Sequence, residues 1–218
     1  DIYKDNADVG TLGLDKKYTR ISFVFYLREN ILTKCNAPKK YVINMKKDKF
    51  KMDKHKGVMR WDAIVGKSVD MEVIKNSRLY VRHNTKEDKV KGVFGCLMSH
   101  INLLKYIVDE KINDVCVLED DSTSDFDLPD DIRQADHITY LGGWLVNKKM
   151  KDIKLPVNET LKEGINELTN SRVLTTRAYY IPKWEHAKGL LDYIQEKKTW
   201  KAIDIMMSEY VNHLYYPA

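Results

Sequence analysis

The run Val115-Cys116-Val117-Leu118, bounded by Asn113-Asp114 before it and Glu119-Asp120-Asp121 after it, constrains this chain more than any other stretch. Short, apolar and rich in β-branched residues, it predicts a strand buried inside a parallel sheet. Its carboxyl end is then a carboxylate cluster, and three consecutive acids repel one another unless a cation or a basic ligand neutralises them. An oxygen-rich site of this kind suits Mg²⁺ or Mn²⁺ rather than a soft metal. On its own, such a triplet reads more simply as a solvated acidic turn, so its surroundings decide.

Those surroundings alternate between strand and helix. Tyr41-Val42-Ile43-Asn44-Met45 predicts a short strand, Lys46 to His55 a lysine-rich helix, and Trp61 to Gly66 a second apolar piece, which together form the opening βαβ unit of an open sheet. Ligands of such sheets sit at the carboxyl ends of strands, which places Asn44, Asp62 and Ala63 near a nucleotide if one binds. For Asn44 taken alone a turn residue is the simpler reading.

Residues 67–92 are polar, with 84–89 as the clearest loop. After Gly92 the apolar positions Phe94, Leu97, Ile101, Leu104 and Val108 recur at three- and four-residue steps and predict an amphipathic helix, in which His100 reads as a structural histidine. Further on, His137 to Leu141 predicts a strand, Gly142-Gly143 a close backbone approach, 145–170 a mobile excursion, and Val173 to Ile181 one strand. Trp184 to Glu196 predicts a helix, Ile203 opens a last short one, and Leu214 to Pro217 reads as a final strand. Ile21 to Leu27 is a candidate strand in an otherwise irregular beginning, so residues 1–38 are expected to be an extension of unknown role and 39–218 the main domain.

Composition narrows the classes. With 218 residues, 43% of them hydrophobic, the chain is long enough for one sizeable domain, and no apolar run approaches a membrane span. Cys35, Cys96 and Cys116 form no CxxC pair, which points to free thiols in a reducing, cytoplasmic setting rather than to zinc. The net charge of +5 suits an anionic ligand or peripheral contact with an acidic membrane, while the basic residues are too dispersed for nucleic-acid binding.

Several segments, in this order, resemble glycosyltransferase family 25. They are Tyr41 to Met45, Arg60-Trp61-Asp62-Ala63-Ile64-Val65-Gly66-Lys67, Gly95-Cys96-Leu97-Met98-Ser99-His100, Val117-Leu118-Glu119-Asp120-Asp121, Thr176-Arg177-Ala178-Tyr179-Tyr180-Ile181, and Ile203-Asp204. The chain departs from the family pattern at Gly92-Val93-Phe94, where Gly-Glu is usual ahead of Gly-Cys. The resemblance implies a GT-A fold, a mostly parallel open α/β sheet flanked by helices. It also implies metal-dependent, inverting transfer of a sugar, expected to be a hexose from a UDP-sugar, to a hydroxyl of a glycan, glycolipid or glycoprotein.

By that resemblance Asp121 is the first metal ligand for Mn²⁺ or Mg²⁺, with Glu119 in support and His213 as a further ligand. Asp120 would reach the ribose or sugar, and Asn44, Asp62, Ala63 and Glu119 would line the nucleotide-sugar site. Asp204 would be the base that takes the acceptor proton; its place at a helix start equally suits capping. Two other readings stand beside this one. A glycosyltransferase-like domain could have kept binding and lost activity. A haloacid-dehalogenase-type phosphatase fits poorly, since Glu119 stands where its nucleophilic aspartate belongs.

Overall fold

In a computed structural model of the chain, the residues described are 20–27, 38–44, 59–82, 84–120, 130–147, 162, 164–168, 171–211 and 214–215. The strands are β1 (Arg20–Leu27), β2 (Lys39–Asn44), β3 (Met59–Ile64), β4 (Val115–Glu119), β5 (Thr139–Tyr140), β6 (Trp144–Asn147), β7 (Asn166–Glu167), β8 (Ser171–Leu174), β9 (Ala178–Ile181) and β10 (Leu214–Tyr215). The α-helices are α1 (Met71–Asn76), α2 (Glu87–Asp109), α3 (Trp184–Glu196) and α4 (Ile203–Tyr210).

The main sheet has the order β1-β3-β2-β4-β9-β5-β10-β7, and β6 and β8 form a second, two-stranded sheet. From the pairings, β2, β3, β4, β5 and β10 run in one direction and β1, β9 and β7 against it. The sheet is therefore mixed α/β with a parallel majority. β4 lies at its centre, between parallel β2 and antiparallel β9.

Strand alternation divides the core into two faces. Tyr41, Ile43, Val115, Val117, Tyr179 and Ile181 point to the side packed by α2 and α3. Val42, Cys116, Leu118, Ala178 and Tyr180 point to the other side, where Ile132, Ala135 and Leu141 cover them. Val115 to Leu118 are all essentially inaccessible, as the opening run predicts. Burial also pushes the Cys116 thiol up to about 12.

α2 begins at Glu87, before the apolar periodicity becomes visible, because its first turn carries Glu87 and Asp88, acids favoured at a helix N-terminus. Its buried face includes Phe94, Leu97, Ile101 and Leu104, and also Met98, Leu103 and Ile107, while Val108 is only half-buried. Each fully buried side chain of this size contributes about 1.5–3 kcal/mol. The expected loop over 84–89 holds for 84–86, while 87–89 is the start of this helix, and the polar stretch before it holds the short helix α1.

Two further expectations change. Val173 to Ile181 is two strands, β8 and β9, separated at Thr175, whose φ of 134° a β-branched residue rarely adopts. β8 consequently leaves the main sheet and pairs with β6. The stretch 145–170 carries strand at both its ends, β6 and β7. Gly143, at φ +130°, makes the predicted close approach: a Cβ there would meet the Val173 side chain at 2.6 Å and the Thr175 hydroxyl at 2.8 Å. The lysine-rich helix expected over 46–55 lies outside the described residues. None of the described helices is long and apolar enough to cross a membrane.

Candidate active site

The parallel strands β2, β3 and β4 end along one edge of the sheet. Asn44 and Asp62 are register partners there. β2 also pairs in parallel with β4, Lys39 opposite Val115 and Lys40 opposite Cys116, and the two strands end at Asn44 and Glu119. Two of the expected nucleotide-site residues, Asn44 and Asp62, thus stand side by side. Asn44 is 1% exposed, Asp62 is open to solvent, and Ala63 is buried beneath the edge.

Glu119 continues the alternation of Val115 and Val117 and so turns toward α2. There His100 Nε2 lies 3.1 Å from Glu119 Oε1, and the Thr176 hydroxyl donates to the same oxygen at 2.5 Å. Cys96 Sγ is 3.9 Å from it. On its other side His100 Nδ1 lies 2.9 Å from the Tyr179 hydroxyl. The backbone of Glu119 is tied down as well, its N–H donating to the Arg177 carbonyl at 2.8 Å. Burial would raise the Glu119 pKa, but hydrogen bonding from His100, the His100 charge, the Thr176 hydroxyl and the Arg177 charge outweigh it and hold the carboxyl below its ordinary value. Glu119 is a carboxylate kept ionised.

In the Gly-Cys-x-x-Ser-His segment, Gly95, Ser99 and His100 each have a structural reason. A Cβ on Gly95 would lie 2.7 Å from both the Gly66 nitrogen and the Ile64 carbonyl oxygen, so α2 approaches the end of β3 through bare backbone. Ser99 then accepts the Ile64 N–H at 2.9 Å and donates to the Gly95 carbonyl at 2.5 Å. One turn of α2 therefore fixes the end of β3 through Gly95 and Ser99 and the end of β4 through His100.

Asp204 lies in the first turn of α4, but the cap position is Ala202; Asp204 Oδ1 accepts the N–H of Ile205 at 2.8 Å. Its pKa is raised, by burial first and also by the charge of Glu119, against the lowering effects of the Ile205 N–H and of His100. The two acids are thus near enough to act on each other, one kept ionised and the other made more basic than an ordinary aspartate. Tyr140, whose buried hydroxyl has no hydrogen-bond partner among the described residues, has its pKa raised by burial and by the charge of Asp204.

Asp121 and His213, the other expected metal ligands, lie outside the described residues. His100, Tyr179, Thr176 and Arg177 are the site residues that periodicity misses. The signal that points to them is the company of the acidic strand: Ser-His one helix earlier and Thr-Arg-Ala-Tyr at the entry to the neighbouring strand β9.

The model of glycosyltransferase family 25 (LPS biosynthesis protein) matches residues 37–207. The chain belongs to this family. Its match covers every motif of the site described above, from Asn44 on β2 to Asp204 on α4, and supports glycosyltransferase activity with a sugar donor and a glycan acceptor. No curated protein and no solved structure gives a significant match.

Proposed function

We propose that the chain is a GT-A-type, metal-dependent glycosyltransferase that moves a hexose from a UDP-sugar to a hydroxyl of a glycan, glycolipid or glycoprotein with inversion. The observation that carries this reading is Glu119 at the carboxyl end of the central strand, held through Oε1 by His100 and Thr176 inside the span that the family matches. Binding the donor along the carboxyl edge uses Asp62 and Asn44, with Asp120 reaching the ribose or sugar and Asn44 supporting the edge from within.

The donor atoms at the strand end are carboxylate oxygens, which fit a hard divalent cation such as Mn²⁺ or Mg²⁺. Asp121 would hold it, with Glu119 in support directly or through water and His213 as a further ligand. When bound, the cation would neutralise charge developing on the diphosphate leaving group. Glu119, gripped through Oε1 by His100 and Thr176, presents a fixed negative charge to that region. Asp204 takes the proton of the acceptor hydroxyl as that hydroxyl attacks from the face opposite the leaving group.

A thermal-shift series with UDP, GDP and CMP and their sugars, each with Mn²⁺ or EDTA, tests the reading. A rise in Tm with a uridine nucleotide that requires Mn²⁺ is expected, because a ligand that binds only the folded state stabilises it. No response to any nucleotide would overturn it. Metal-dependent binding without turnover on candidate acceptors would favour a binding domain instead.

A further inference from the structure

We propose that Cys96, His100 and Glu119 form a three-ligand site for a divalent transition metal of the zinc class, which shares Glu119 with the hard-cation site at Asp121 but differs from it by its sulfur and imidazole donors. The inference does not depend on the transferase reading, which makes no use of Cys96.

Cys96 and His100 are four residues apart on α2, hence on one side of the helix, one turn above the other. β4 brings Glu119 against both. Sγ, the imidazole nitrogen and the carboxylate oxygen all lie within 4.8 Å of one another. Zinc bonds of about 2.0–2.3 Å in a tetrahedron place ligand atoms about 3.3–3.8 Å apart. Glu119 Oε1 stands 3.1 Å from His100 Nε2 and 3.9 Å from Cys96 Sγ, distances on either side of that range. Small side-chain movements bring these two separations into that range.

The donors are one sulfur, one imidazole nitrogen and one carboxylate oxygen, a set that favours zinc-class ions over Mg²⁺. Cys96 is exposed, which gives an entry path and leaves the fourth position to water. The outer shell is also in place. A histidine that ligates through Nε2 carries its proton on Nδ1, and the Tyr179 hydroxyl is there to accept it. The protons balance: the thiol releases one to solvent, and the His100 imidazole binds through Nε2 with its proton on Nδ1.

The test is a Co²⁺ titration of the full chain carrying Cys35→Ser, so that Cys96 is the accessible thiol and the deeply buried Cys116 the remaining one. A thiolate-to-cobalt absorption band in the near ultraviolet, displaced by Zn²⁺, is expected. Cys96→Ser should abolish the band while circular dichroism shows an unchanged fold, and Tyr179→Phe should weaken Co²⁺ affinity about tenfold. Absence of the band in the Cys35→Ser protein, or its survival in the added Cys96→Ser variant, overturns the proposal. A second measurement needs no substitution in the cluster: Zn²⁺ should slow alkylation of Cys96 by iodoacetamide and Mg²⁺ should not. Equal protection by the two ions, or none by Zn²⁺, also overturns it. Loss of the Co²⁺ band with UDP binding intact would leave the transferase reading untouched.

Discussion

Gly66 and Gly95 meet backbone to backbone, so closely that a Cβ on Gly95 would stand 2.7 Å from the Gly66 nitrogen. The contact sets the distance between α2 and the end of β3, and hence the position from which His100 reaches Glu119. Gly95→Ala is expected to destabilise the fold by about 1–3 kcal/mol, the usual cost of overpacking. Gly92 lies in the same helix with nothing within 4 Å of a built Cβ, so Gly92→Ala should stabilise by about 0.5–1 kcal/mol through helix propensity. Urea midpoints of the two variants check the pair. Equal responses would show that close packing at Gly95 does not matter.

Asp204→Asn keeps the shape of the side chain and its acceptor for the Ile205 N–H while removing the basic oxygen. Transfer should fall by at least about a hundredfold, the scale of general-base catalysis, with UDP affinity unchanged. Unchanged turnover would remove Asp204 as the base.

The acid limb of the transfer rate should follow Asp204 as well. Its pKa lies above the ordinary aspartate value, so the base is lost to protonation at a higher pH than a free carboxylate would be. A pH profile of kcat/KM should show activity falling as pH drops through that raised value. A rate that holds down to the ordinary aspartate range would place the base elsewhere.

Thr176→Val removes a hydrogen bond to an ionised carboxylate and should cost on the order of 1–2 kcal/mol at neutral pH. Glu119 has a lowered pKa in the folded chain, so its stabilising contribution is present above the unfolded-state value and lost as pH falls through the folded one. Without the Thr176 hydroxyl the folded value moves up, and less of that stability remains to be lost in acid. Tm measured from neutral to acidic pH should therefore drop less steeply in the variant. Parallel curves would mean that the hydroxyl does not tune Glu119.

Asp121→Ala should abolish the Mn²⁺-dependent part of UDP binding and spare any metal-independent part, by titration calorimetry with Mn²⁺ and with EDTA. Equal UDP affinity in the variant would count against Asp121 as the metal ligand.

Much of this architecture is visible in the amino-acid order, for physical reasons that differ from place to place. Val115 to Leu118 announces a central strand because both its faces are apolar, and Trp184 to Glu196 announces α3 because Ala187, Leu190, Leu191 and Ile194 recur at helical spacing and are buried. The start of α2 is hidden because Glu87 to Lys91 is held by helix-end charge and a Glu87–Lys91 ion pair rather than by an apolar stripe. The break at Thr175 is hidden because nothing local requires it; β6 and Gly143 impose it from outside. His100 is the buried, hydrogen-bonded histidine that the helical pattern suggests, but its partners are hidden for the same reason. Its partners Glu119 and Tyr179 are 19 and 79 residues away, and periodicity carries no information at that range.

The corner at Thr175 has a mechanical consequence. One continuous stretch of chain serves two sheets, and the bend between them is where Glu119 is gripped, by the Thr176 hydroxyl on its side chain and the Arg177 carbonyl on its backbone. The next guanidinium, that of Arg177, lies 5.8 Å over the exposed ring of Trp144 on the small sheet. Weight placed on that ring is therefore borne by the same elbow that steadies the carboxylate.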